Sequence, residues 1–234
     1  MSMSAMAAAA VLAPYAPGPA YVLLIVALAV HAVLALVLIR VLVALPPEAR
    51  GVNPVWHQSF VGFIVAGVGA AALGKIGLAE AVLVFTVPVA LVIWGISLTQ
   101  LMTRVPPAPL RPFLAIHLAP ASLFALVAQA TGHQLVAQVF TAVSVAILMA
   151  LIVSARWITV GGFTPLWGAF TFPLAASAGA ALTLGTGGLL PGVALLPGVA
   201  LLIVAIGVVP AISLGVLSLW PGGRLAAKTN AAEA

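Results

Sequence analysis

Residues 163–178 read FTPLWGAFTFPLAASA, an apolar run in which Pro165 and Pro173 stand eight positions apart. Proline lacks a backbone N–H and clashes with the carbonyl four residues back, so an interior proline bends or breaks a helix. The spacing recurs. Pro112 precedes Pro120 by eight positions in LRPFLAIHLAP (110–120), and Pro54 precedes Gly62 by eight in VNPVWHQSFVG (52–62). Proline suits the first helical position, where a missing donor costs nothing. A glycine stands twenty residues after each opening proline, at Gly74, Gly132 and Gly185. At 1.5 Å per residue, twenty residues span ~30 Å, one hydrocarbon thickness. The pattern predicts three parallel membrane helices, each perturbed at the same depth, at Gly62, Pro120 and Pro173. In lipid, interrupted backbone is tolerated only where it faces protein or lines a cavity. The three bends are therefore expected to face a shared pore axis, as parallel repeats about the membrane normal. Prolines and glycines also serve packing in membrane helices. Three of them in matching register make coincidence the weaker account.

Composition sets the class. Of 234 residues 65% are hydrophobic and 5% charged, against roughly 25% charged in a soluble domain. The expected fold class is an all-α integral membrane protein built of tandem helical hairpins. Cysteine is absent, which excludes disulfides and thiol chemistry. Glu48, Glu80 and Glu233 are the only acids. The net charge of +5 comes from basic residues scattered singly, which is not the pattern of a nucleic-acid partner. MSMSAMAAAA (1–10) lacks a positive n-region, so no cleavable signal is expected.

About seven spanning helices are predicted, at 20–45, 55–73, 78–103, 113–131, 134–156, 166–184 and 190–220, within a single transmembrane domain. The helices at 55–73, 113–131 and 166–184 are taken as inner and the others as an outer ring. Residues 3–16 are apolar but too short to span and read as a partial helix, and 222–234 read as a tail. Arg40, Arg50, Arg104, Arg111, Arg156, Arg224 and Lys228 fall on one side and only Lys75 on the other. By the positive-inside rule the C-terminus is cytoplasmic.

The inner helices offer no charged side chain between Trp56 and Leu73, Phe113 and Thr131, or Leu166 and Leu184. Their polar groups are His57, Gln58, Ser59, His117, Ser122, Gln129, Thr171, Ser177 and Thr183. An uncharged tube can still favour anions, because N-terminal ends of half-helices attract negative charge. Weak partial charges admit an ion without trapping it. Phe172, beside Pro173, is the candidate ring across the narrowest point, with Phe170 in reserve. Both rings could equally pack between helices. His117, one turn before Pro120, is a possible polar pore group or a histidine bonded to a neighbouring carbonyl. Pairing His31 with His117 as haem ligands has no further support. No metal site and no cofactor are expected. GTGGL (185–189) follows no strand and precedes no lysine, so it is no phosphate loop. Glu80, the only candidate for a proton-coupled step, reads as an interfacial acid near Lys75.

Three segments carry a family resemblance. LRPFLAIHLAPASLFALVA (110–128), FTPLWGAFTFPLAASA (163–178) and VNPVWHQSFVGFIVAG (52–67) resemble the RPT-x-x-I-x-x-APP, F-S-P-x-W-W-A-F-T-F-P-L-A and N-P-A-W-F-x-P-x-V-G segments of the tellurite-resistance/dicarboxylate transporter family. The family that the chain resembles includes the bacterial tellurite-resistance proteins, the plant slow anion channels of guard cells and the fungal malate and sulfite permeases. The resemblance implies ten helices in five hairpins, a pore closed by a phenylalanine, a homotrimer, and placement in a bacterial inner membrane. It matches the seven predicted helices to the family's fourth to tenth, and residues 3–16 to the end of its third. Ala121 and Ser122 follow Pro120 where the family motif carries a second proline.

The functional expectation is an anion channel or permease passing small anions or dicarboxylates through an uncharged pore. The alternatives are a proton-coupled dicarboxylate carrier and a truncated, non-conducting membrane subunit. No nucleophile–base pair points to an enzyme.

Overall fold

The computed structural model describes residues 1–186 and 192–230. The end of GTGGL, the start of the stretch predicted at 190–220, and tail residues 231–234 with Glu233 lie outside the described residues. Helices and turns make up the described chain, with no strand among the described residues. The helices are α1 (Ser2–Leu12), α2 (Pro17–Ala44), α3 (Ile64–Ala72), α4 (Ile76–Thr103), α5 (Leu118–Ala130), α6 (Gln134–Val153), α7 (Ala155–Ile158), α8 (Thr171–Thr186), α9 (Leu195–Leu217) and α10 (Arg224–Asn230).

Six stretches are long and apolar enough to cross a membrane, among the described residues. The seventh expected helix, at 55–73, is interrupted: a π-helical turn, His57–Val61, precedes the nine residues of α3. Interruption is the common feature of the three predicted inner helices. Ala108–His117 is wound as a 3₁₀ helix before α5, and Pro165–Phe170 as a 3₁₀ helix before α8. Runs of 3₁₀ winding longer than three or four residues are uncommon, and π turns are rare.

This changes the expected role of the prolines. Pro120 and Pro173 are each the third residue of an α-helix, not its midpoint. Each helix follows directly on a 3₁₀ run, whose carbonyls accept from Leu118 N–H and Thr171 N–H at the start of the α winding. The change of winding precedes both prolines. Pro112 likewise does not open its helix; it lies buried within the 3₁₀ run, which starts at Ala108.

The chain falls into two compact units. The first contains residues 1–99 and 123–138. Here α1 packs on α2 and α3 through small residues, with Met6, Ala9, Ala20 and Leu24 buried. A Cβ added to Gly69 would meet Leu24 Cδ1 at 3.0 Å, so glycine sets that approach. Gly74 and Gly132 end helices as expected. Both hold positive φ, 68° and 81°. Each closes a Schellman motif: Lys75 N–H reaches the Ala70 carbonyl at 2.8 Å and His133 N–H the Ala128 carbonyl at 2.9 Å.

The second unit contains residues 100–122 and 139–234. Gly185, expected to stop its helix, instead lies inside α8 and is buried. A Cβ there would strike the Leu195 backbone nitrogen, and its Cα at 2.7 Å. Gly198 on α9 sits equally close to α8, 2.8 Å from the Leu182 nitrogen by the same measure. The third glycine therefore permits helix contact. Arg111 ties the 3₁₀ run to α7, donating to the Trp157 carbonyl at 3.1 Å with its guanidinium 4.3 Å from the Trp157 ring centroid.

Replacing Gly74 or Gly132 by alanine places Cβ in a left-handed conformation and is expected to cost about 1–2 kcal/mol. Gly95→Ala, in mid-helix with nothing within 4 Å of the added carbon, is expected to be neutral or to stabilise by up to about 1 kcal/mol. Unfolding titrations in mixed micelles measure both.

Candidate functional site

In the first unit the interruption is built around Gly62. Asn53 starts it, its Oδ1 accepting from Val55 N–H at 2.9 Å in an Asx turn. The π turn follows, and Gly62 is buried immediately after it. No side chain fits there. A Cβ would strike the Gln58 carbonyl and stand 2.6 Å from Met3 Sδ and 3.0 Å from His31 Nε2. His31, buried on α2, is fixed from the other side by Ser2 Oγ, 2.8 Å from Nδ1, and by the edge-on Phe63 ring at 4.5 Å. Gly62 thus serves close approach of backbone to histidine. Ser2 and His31 are twenty-nine residues apart, and no sequence pattern announces their bond.

In the second unit Pro120 and Pro173 are both buried. Ser122 lies two residues after the first and Ser177 four after the second. Their hydroxyls meet at 2.9 Å, and Ser144 on α6 approaches Ser122 at 2.8 Å. Ser122 Oγ is also 3.1 Å from the Leu118 carbonyl. A hydroxyl has one proton and two lone pairs. By donating to Leu118 while accepting from Ser144 and Ser177, Ser122 satisfies every contact at once and joins α5, α6 and α8. Sequence reasoning named Ser122 and Ser177 but missed Ser144.

The two candidate rings differ in surroundings. Phe170 stacks edge-on against Trp167 at 5.8 Å, and Trp167 against Phe163 at 5.6 Å. Trp167 donates to the Gly162 carbonyl at 2.9 Å. A Cβ on Gly215 would stand 2.6 Å from the Phe163 ring, so α9 is notched to receive this ladder. Phe172 joins no ring pair among the described residues and is 38% exposed. It heads a helical face at spacings of three and four: Phe172, Ala175, Gly179, Thr183 and Thr186 are all exposed. That face carries one bulky side chain and otherwise only small ones. Thr183 and Thr186 turn their hydroxyl protons back to the Gly179 and Leu182 carbonyls, at 3.0 and 2.9 Å.

His117 ends the 3₁₀ run, partly exposed. Glu80 does not pair with Lys75. It meets His133 Nε2 at 3.2 Å, both side chains being about half exposed, and Lys75 lies over the Tyr21 ring at 5.2 Å. Among the described residues no three His, Cys, Asp or Glu side chains are grouped to hold a metal.

These features describe a multi-pass, all-helical membrane protein with uncharged, interrupted helices. The chain matches the voltage-dependent anion channel family over residues 1–217, and it belongs to that family. The resemblance read from the three proline-led segments is borne out. Membership makes anion transport across a membrane its class of activity. A comparison with curated proteins gives no match.

Ser122→Ala removes both inter-helix hydroxyl contacts and is expected to destabilise more than Ser144→Ala or Ser177→Ala, each costing about 0.6 kcal/mol. Because the three share one oxygen, the Ser144/Ser177 double variant should depart from additivity. A double-mutant cycle in micelle unfolding reads this.

Proposed function

We propose that the chain is an anion channel or permease that passes small anions through an uncharged passage along the exposed face of α8, occluded by the Phe172 ring. The observation that carries this is the face itself. Phe172 is its single large side chain, and it lies next to the change from 3₁₀ to α winding. Phe170, the reserve candidate, is committed to the Trp167 ladder. Pro120 and Pro173 are assigned to the winding change that shapes the passage, and Gly62 to its counterpart in the first unit. His117 is assigned as a polar group of the pathway. Burial agrees with the inner and outer assignment. The window within Ala108–Ala130 is 72% buried and that within Pro165–Thr186 39%, against 33% for Ile76–Thr103, 17% for Pro17–Ala44 and 11% for both Gln134–Val153 and Leu195–Leu217, so the separation is clear only for Ala108–Ala130.

Small inorganic anions and dicarboxylates are the proposed substrates, as the family resemblance implies. So are trimeric assembly and a bacterial inner-membrane location. The seven-to-one distribution of basic residues supports a cytoplasmic C-terminus. A proton-coupled carrier would need a sheltered acid, and Glu80 at a half-exposed helix-turn site does not supply one.

In reconstituted vesicles, Phe172→Ala is expected to raise anion flux roughly tenfold, equivalent to lowering a barrier by about 1.4 kcal/mol. Phe170→Ala should leave flux near wild type. Unchanged flux in Phe172→Ala, from a preparation that conducts, rejects the gate. Absence of flux under every gradient favours the non-conducting subunit.

A further inference from the structure

An apolar groove of about 420 Å³ opens in the first unit, bounded by the C-terminal part of α2, the segment before the π turn, and the middle of α4. Ile39, Val43, Trp56, Phe60 and Val92 supply its walls, with Arg50 the single charged group lining it among the described residues. Trp56 and Phe60 pack edge-on at 5.4 Å. Val92 is exposed on α4. Two of its walls, α2 and α4, are long and apolar enough to cross a membrane, so a hydrocarbon chain suits it as occupant.

Arg50 determines which molecule is retained. Its Nε donates to the Leu45 carbonyl at 2.8 Å and its Nη2 to the Val43 carbonyl at 2.9 Å. Those are the carbonyls at the end of α2, where the helix presents its negative pole. The guanidinium is thereby held at the rim in one orientation. Arginine has five N–H donors, so two such bonds leave three for an oxyanion. A fixed guanidinium fork is suited to bidentate phosphate recognition. Arg40, one residue from the groove-lining Ile39, adds a second positive charge to this end of α2. An apolar slot beside an anchored guanidinium, with tryptophan at the same level, has the chemistry of a phospholipid: acyl chain in the slot, phosphate on the arginine.

We infer that this groove is a binding site for an anionic phospholipid, its acyl chain lying between α2 and α4 and its headgroup phosphate on Arg50. The inference rests on residues of the first unit and does not depend on the proposed anion passage.

The test is native mass spectrometry of the detergent-purified full chain, titrated with phosphatidylglycerol or phosphatidylcholine. Phosphatidylglycerol is expected to bind about fivefold more tightly, the contribution of one interfacial basic residue. Arg50→Gln should abolish that preference, and Arg50→Lys should weaken it by removing the fork. Val92→Trp fills the slot from an exposed position and should cut retention of either lipid at least about fivefold, as loss of much of the buried chain requires. Size-exclusion profiles confirm folding, and Val92→Leu serves as a milder filler. The site is overturned if both lipids bind equally. It is also overturned if Arg50→Gln abolishes binding that Val92→Trp leaves intact while glycerol 3-phosphate competes as well as the lipid, which marks a free phosphate site. A change of oligomeric state in Val92→Trp, with no lipid retained by wild type, assigns the groove to a second copy of the chain and overturns it as well.

Discussion

In a hydrocarbon layer a peptide group without a partner costs several kcal/mol, and this chain interrupts its α-helical ladder in three apolar segments, two of them long enough to cross that layer. Everything distinctive about the fold follows from how those interruptions are made tolerable. None is left as a bare break. Two are wound as 3₁₀ helices, Ala108–His117 and Pro165–Phe170, whose i→i+3 bonding lacks a donor at Pro112 in the first. The third takes a π turn at His57–Val61 and needs an Asx turn at Asn53 to start it. Pro120 and Pro173 then stand two residues into the α winding that follows each 3₁₀ run.

The residues that stabilise these joints are small and polar, and they act by proximity. Gly62 lets backbone reach His31, and Gly185 and Gly198 let α8 and α9 touch. The Ser122 oxygen takes two hydroxyl protons and gives one, so three helices are tied without any group left unsatisfied. Among lipid tails, which are as apolar as leucine, such close packing and shared hydrogen bonds provide the specificity that burial of hydrophobic surface provides in water.

Much of this was legible in the order of prolines and glycines. The register Pro54–Gly62, Pro112–Pro120 and Pro165–Pro173 fell on the three stretches that depart from α winding, although the departure precedes Gly62, Pro120 and Pro173 themselves. The kind of interruption was not legible. Whether a segment winds as 3₁₀, π or α depends on what stands beside it. Nothing near Gly62 in the chain indicates that His31, Met3 and the Gln58 carbonyl leave no room for a Cβ. Gly185 failed as a predicted stop for the same reason: a glycine that ends a helix and one that admits a neighbour look alike in sequence. Ser144 and the Glu80–His133 pair were missed because each is defined by a partner twenty or more residues away.

The hydroxyls of the α8 face bear on how the proposed passage treats an anion. Thr183 and Thr186 have committed their protons to backbone carbonyls, so toward the open side they present oxygen lone pairs, which repel negative charge. Attraction must come from elsewhere. One source is the set of arginines at the segment ends, single residues that raise the local anion concentration. It acts at a distance and clasps no particular shape. An anion in such a field gains enough to enter and too little to be held, which is the condition for rapid conduction. The same reasoning ties selectivity to size at the Phe172 ring, and weak selectivity is then the consequence of having no directed donor on the face the ion would pass.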